Sequence, residues 1–160
     1  MNKKPMPVKT SLRDVLLPLM ACVLLQFNQA VLAADPPLVV AHEMVNAWNA
    51  IDADQIADLF AQDGSYQSMM DTPVIGRELI RTKFTQLLAP ATALELQLRN
   101  VAVAGGVVFL ERVDVFTYNG REAAVPVVAV LEIKDGKVAA WREYFDRAEL
   151  MHAMGLTGEH

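Results

Sequence analysis

Apolar and polar positions follow three different rhythms along this chain of 160 residues. Residues 15–27 form a nearly unbroken apolar run, residues 38–49 carry apolar side chains at helical spacing, and residues 94–104 alternate loosely between apolar and polar. Leu38, Ala41, Met44, Val45 and Trp48 recur with the period of an amphipathic helix and predict one over 38–49. Asp52 stands where an N-cap would open a second helix, Ala53–Ala61, with Ile56, Leu59 and Phe60 turned inward and Asp63-Gly64 as its stop. Ser65–Met70 reads as a short strand with Tyr66 and Ser68 on one face, followed by a loop at Asp71-Thr72-Pro73. A third helix is expected from Gly76 to Leu88, halted by Pro90, and then a strand from Leu94 to Ala104 that ends at Gly105-Gly106.

The stretch from Val107 to Asp146 reads as three further strands joined at Asn119-Gly120 and Asp135-Gly136. Such dipeptides supply the positive φ angles that two-residue hairpin turns require, so an antiparallel meander follows. Pro126 interrupts the middle strand and implies a bulge or an exposed edge there. A last helix, Arg147–Met154, is expected to close over the end of the sheet. Helices first and an antiparallel sheet afterwards predict an α+β fold with the helices packed on one sheet face.

Charges stand where the alternation calls for apolar side chains. Arg112 and Asp114 leave the same face as Val108, Leu110 and Phe116, roughly 6.6 Å apart along the strand. In the last strand Glu143 lies between Trp141 and Phe145 by the same period. A buried charge costs several kcal/mol or more unless it is paired or its pKa moves, so these groups are expected to meet in one pocket. The opposite face of the strand, with Val107, Phe109, Val113 and Val115, is also apolar. Helices can cover only one of the two faces, so a homodimer through the sheet is expected.

The first rhythm is of another kind. Lys3, Lys4, Lys9 and Arg13 precede the apolar run, and Val31-Leu32-Ala33 follows it as a small-residue cleavage site. This predicts a signal peptide over 1–33 and export to the periplasm or beyond the cell, since the run is too short for the roughly 20 apolar residues of a membrane span. Leu19-Met20-Ala21-Cys22 fits a lipoprotein box less well, because the apolar run continues past Cys22. Removal of the leader takes away four positive charges and one negative, so the formal charge moves from −5 to −8. That acidity argues against nucleic acid as a partner, and no membrane partner is expected once the leader is cleaved. Cys22 is the sole cysteine, so the remaining chain holds no disulfide, thiol nucleophile or cysteine-based zinc site. His42, His152 and His160 have no metal-ligand spacing among them, and no metal or cofactor is expected. Residues 36–158 are read as one domain with room for one pocket.

Glu111-Arg112-Val113-Asp114-Val115 and Gly136–Asp146, with Trp141-Arg142-Glu143-Tyr144-Phe145-Asp146 at its end, resemble the catalytic half of the limonene-1,2-epoxide hydrolases. Tyr66-Gln67-Ser68-Met69 and Gly76-Arg77 fit the same family, and the likeness covers most of residues 38–156. The resemblance implies the cone-shaped fold of nuclear transport factor 2 and the SnoaL-like cyclases, with helices on the concave face of a curved antiparallel sheet. It also implies roles. Glu143 would deprotonate a water, Asp114 would protonate the oxygen of a small apolar epoxide, Arg112 would hold the two acids, and Tyr66 and Ser68 would orient the water. Trp141, Phe145, Leu110, Phe116 and Met69 are then expected on the pocket wall. One-step epoxide opening needs simultaneous push and pull, which two carboxyl groups of different pKa can supply at one pH. The family has Asp at the position of Glu143 and Asn at that of Ser68. A water displaced by about 1 Å costs on the order of a hundredfold in rate, so these two changes bear on substrate choice and activity. Isomerisation or cyclisation with one acid as proton shuttle, and a non-catalytic module binding an apolar ligand, stand beside hydrolysis.

Overall fold

Both expected hairpin turns form where the sequence puts the dipeptides. Asn119 and Gly120 have φ of 49° and 75°, Asp135 and Gly136 of 50° and 72°, the left-handed pairs that let two antiparallel strands twist into a two-residue turn. The computed structural model describes residues 36–69 and 71–156. The leader expected over 1–33, together with Cys22 and His160, lies outside the described residues.

The elements run α1 (Pro36–Asn49), α2 (Ala53–Leu59), β1 (Phe60–Ser68), β2 (Val74–Ile75), α3 (Arg77–Leu88), β3 (Ala91–Ala104), β4 (Val107–Tyr118), β5 (Arg121–Lys134), β6 (Lys137–Tyr144) and α4 (Arg147–Ala153). The strands form one curved sheet in the order β2-β1-β6-β5-β4-β3. Four of its five pairings are antiparallel, but β1 lies parallel to β6. The expectation of a wholly antiparallel sheet is corrected at this one seam. Alternation within a strand does not reveal the direction of a partner some seventy residues away, and the helix-containing connection between β1 and β6 is long enough for a parallel pairing.

Two boundaries also move. Asp63-Gly64 does not end α2; the helix stops at Leu59 and β1 has already begun at Phe60. The dipeptide instead sits where the β1–β6 register shifts, between Phe60 and Ser65. A Cβ on Gly64 would stand 2.9 Å from the Val138 carbonyl oxygen and 3.0 Å from that of Ala61, so the close approach of the two strands requires glycine there. Pro126 causes no bulge, since Val113–Pro126 keeps the regular β4–β5 register. It sits beyond the end of β6, whose last pair with β5 is Val128–Tyr144, so its missing N–H faces a free edge.

Helices α1 and α3 lie on one face of the sheet. Met44, Ala47 and Trp48 of α1 and Ile80, Phe84 and Leu88 of α3 are buried against Val108, Leu110, Leu131, Val138 and Trp141. Aromatic rings bind the layers: Tyr66 of the sheet meets Phe84 of α3 edge-on at 4.8 Å, and Trp48 of α1 lies 5.8 Å from Trp141 of the sheet. Each such pair contributes about 0.5–1.5 kcal/mol beyond area burial. Two polar ties set the helices in place. Asn49 Oδ1 accepts from the Leu96 amide at 2.8 Å, and the Arg77 guanidinium donates twice to the Phe60 carbonyl at 3.0 and 2.7 Å. On the other face Phe109, Val128 and Tyr144 remain about 40% exposed. None of the described helices is long and apolar enough to cross a membrane.

Candidate active site

The charged residues of β4 and β6 meet across β5. Arg112 is in register with Val127 and Glu143 with Ala129, so the strand between them presents small side chains on that face. Two strand spacings amount to roughly 9.6 Å, and the long Arg112 side chain spans them over this low ground. Its Nε donates to Asp114 Oδ1 at 2.6 Å, and its Nη2 to Asp114 Oδ2 at 3.1 Å and to Glu143 Oε1. From β1, the Tyr66 hydroxyl donates to Glu143 Oε2 at 2.7 Å. Both oxygens of Glu143 therefore accept, one from a cation and one from a phenol. Ser68 is in register with Glu143 through the parallel seam.

Depth orders these groups. Arg112 is 2% exposed, Glu143 6%, and the Asp114 side chain 18%. Burial opposes the charge on Arg112, but the Glu143 and Asp114 carboxyls outweigh it and hold the guanidinium firmly protonated. Among the described residues its Nη1 has no hydrogen-bond partner. The guanidinium carbon lies 5.9 Å from the Trp141 ring, and this cation–π contact offsets part of the missing bond. Burial is also the largest influence on Asp114; it pushes the carboxyl above its ordinary value of 3.8 against the pull of Arg112, and the nearby Glu143 adds to the rise. Burial and then the Glu143 carboxyl drive the Tyr66 phenol well above its usual range, so Tyr66 remains a proton donor.

Both acids open onto a cavity of about 250 Å³. Tyr66, Ser68, Phe116 and Phe145 share its wall, as the sequence implies for each. Leu110, Trp141 and Met69 do not. Leu110 and Trp141 are 1% and 0% exposed inside the core cluster, because α1 and α3 close over that level of the sheet before the cavity begins. Met69 falls in the turn after β1, beyond the wall. The sequence pattern missed the far side: Lys83, Leu87 and Leu88 from α3, Asp71 from the loop after β1, and Arg147, Leu150, Met151 and Met154 from the α4 region. Arg147 pairs with Asp71 at the rim. The spacing of Leu150, Met151 and Met154 as one helical stripe was the available signal for α4. Trp48, read from the sequence as core, is buried and also reaches the wall. Among the described residues no group of three or more His, Cys, Asp or Glu side chains is placed to hold a metal ion.

The acid–arginine–acid cluster thus lies at the floor of a largely apolar cavity, under helices on a curved sheet. The family model of the SnoaL-like domain matches residues 41–141, well over half of the chain. The chain belongs to the SnoaL-like domain family. Solved structures similar to this SnoaL-like chain carry several different descriptions. An LEH-like epoxide hydrolase from M. tuberculosis aligns with a TM-score of 0.66 at 20% identity, covering 74% of this chain and 89% of its own. A protein of ketosteroid isomerase-like fold from Catenulispora acidiphila, solved with trimethylamine, aligns at 0.66 and 21%, covering 74% and 93%. A proposed polyketide cyclase from Xanthomonas campestris pv. campestris aligns at 0.68 and 18%, covering 74% and 96%. At these identities the likeness shows the fold alone. The SnoaL-like fold is compatible with epoxide hydrolysis and with cyclase or isomerase chemistry.

Proposed function

We propose that this SnoaL-like protein hydrolyses a small, largely apolar epoxide to a diol in one step. The observation that carries the reading is Arg112 bonded at once to Asp114 and Glu143, with both acids on the wall of one cavity. The volume lies below the roughly 300–1,000 Å³ of drug-sized ligand sites, so the substrate is small. Glu143 takes a proton from a water while the water oxygen attacks an epoxide carbon. The carbon–oxygen bond of the ring breaks, and Asp114 delivers its proton to the departing oxygen. Arg112 bridges the acid that gives a proton and the acid that receives one, so the charge moves within a single ion cluster. Ser68, opposite Glu143 in the seam, helps to seat the water. Burial raises the Asp114 pKa and keeps it an acid at higher pH than a free carboxyl, which is what a general acid requires.

The direct bond from Tyr66 to Glu143 supports a second reading. With the phenol occupied by the carboxyl itself, Glu143 is suited to take a proton from a ligand carbon while Asp114 donates to a carbonyl oxygen, as isomerisation or cyclisation requires. Incubation of the purified protein with a panel of small epoxides in oxygen-18 water separates the two. One labelled oxygen per diol is expected, with no deuterium exchange at carbon in heavy water. Absence of diol from every epoxide, with exchange into a carbonyl ligand, would put the second reading in its place.

A further inference from the structure

Among the described residues, five charged side chains line the cavity: Asp71, Lys83, Asp114, Glu143 and Arg147. Four of them are neutralised by neighbours. Asp71 pairs with Arg147 at the rim, and Asp114 and Glu143 share Arg112 at the floor. Lys83 alone among these five has no carboxylate within ion-pair distance and no hydrogen bond among the described residues. A lysine on a surface helix ordinarily extends its ammonium into water. Lys83 is half-buried as a whole residue, and its Nζ lies 5.9 Å from the centre of the Tyr66 ring. That ring attracts the ammonium only weakly at such a site. Tyr66 is the residue that donates to Glu143, so the uncompensated cation and the acid cluster flank the same side chain. Most of the remaining wall is apolar, including Phe116, Val125, Val127, Phe145 and Met154.

We propose that Lys83 determines specificity, and that the ligand is an amphipathic small molecule with an apolar body and one carboxylate that pairs with Lys83. This rests on the reading of the cavity as the substrate site. The acids repel the anionic end and Lys83 attracts it, so the molecule has one favoured orientation. Its apolar body lies along Phe116, Val125 and Val127, and its reactive end is left with Asp114 and Glu143. A neutral molecule of the same shape fills the same volume and leaves Lys83 without a counter-charge.

The test measures calorimetric binding of octanoate and octanamide, a pair differing in charge at one end, to the full protein and to Lys83→Met, Lys83→Gln and Lys83→Arg. Wild type is expected to bind octanoate at least about tenfold tighter than the amide, the scale of one charge-assisted hydrogen bond. Lys83→Met and Lys83→Gln should each bring that ratio below about twofold, and Lys83→Arg should keep most of it. The two neutral variants differ in polarity, so loss of folding in one leaves the other to decide. A wild-type ratio near one, or a preference that survives in the neutral variants, overturns the proposal, as does failure of wild type to bind either ligand. Turnover is read separately with an eight-carbon terminal epoxide carrying a carboxylate or an amide. An octanoate preference lost with Lys83 but no diol from either epoxide rejects the hydrolase reading alone. Diol formed equally from both epoxides, with no effect of Lys83→Met, rejects the Lys83 assignment alone.

Discussion

Tyr66 and Glu143, 77 residues apart, are joined by a 2.7 Å hydrogen bond across the parallel seam of the sheet. This bond unites a strand from the helical half of the chain with the last strand of the meander. It also gives the buried Glu143 carboxyl a second donor on the side that Arg112 does not reach. The acid is thereby held from two directions, and its position depends on a strand pairing and not only on its own strand.

If Asp114 gives the proton and Glu143 receives it, each is indispensable to turnover. Asp114→Asn and Glu143→Gln preserve shape and should each lower kcat/KM for an epoxide substrate at least about a hundredfold. Because the two act through one bridged cluster, the double variant should be scarcely slower than the slower single. Circular dichroism should show all three folded. Wild-type turnover in both single variants would exclude this mechanism.

The pH dependence of stability follows from the sign of the Asp114 shift. Its folded pKa is raised above the ordinary 3.8, chiefly by burial. The folded protein therefore binds this proton more tightly than the unfolded chain does. The stabilising contribution is complete below about pH 3.8 and is lost as pH rises through the folded value. Asp114→Asn cannot titrate, so it should gain stability relative to wild type as pH rises from about 4 toward neutrality. Urea unfolding of both proteins across that interval checks it. Activity that needs protonated Asp114 should fall on the alkaline side of the same titration.

Arg112 is predicted to matter more to stability than either acid. Its side chain is 1% exposed and pairs with the buried Glu143 carboxyl and the partly buried Asp114 carboxyl. Arg112→Ala leaves both without their cation and should cost about 3–5 kcal/mol in unfolding free energy. A triple variant, Arg112→Met with Asp114→Asn and Glu143→Gln, removes the charges together and should recover most of that loss. Chemical denaturation of the two variants gives the comparison; equal midpoints would mean that unpaired charge is not the cause.

The open sheet face leads us to propose a homodimer. Phe109, Val128 and Tyr144 project from it with about 40% exposure each, a cluster that a second copy would cover. Light scattering at micromolar concentration should return twice the chain mass. Phe109→Glu should return a monomer without loss of helical signal. A wild-type monomer would show that this face stays in water.

What the chain determined by itself was local. The Asn119-Gly120 and Asp135-Gly136 turns follow from backbone sterics within two residues, and the period of two assigned Arg112, Asp114 and Glu143 to inward faces before any partner was known. The cost of burying such charges then required that they meet, and they do. Helix α1 was legible from its apolar stripe and α3 from Gly76 and Pro90, each to within two residues. Only the tertiary structure decided the rest. Alternation states which face a side chain leaves, but neither the direction of a distant partner strand nor the level at which the opposite layer closes. The parallel β1–β6 seam therefore had no sequence signal, although it brings Tyr66 to Glu143. For the same reason Leu110 and Trp141, which share faces with the acids, lie in the core below the cavity, while Lys83 and Arg147 reach the wall from helices whose docking is set by packing against the curved sheet. Periodicity is a property of neighbours along the chain; depth is a property of the layers that cover them.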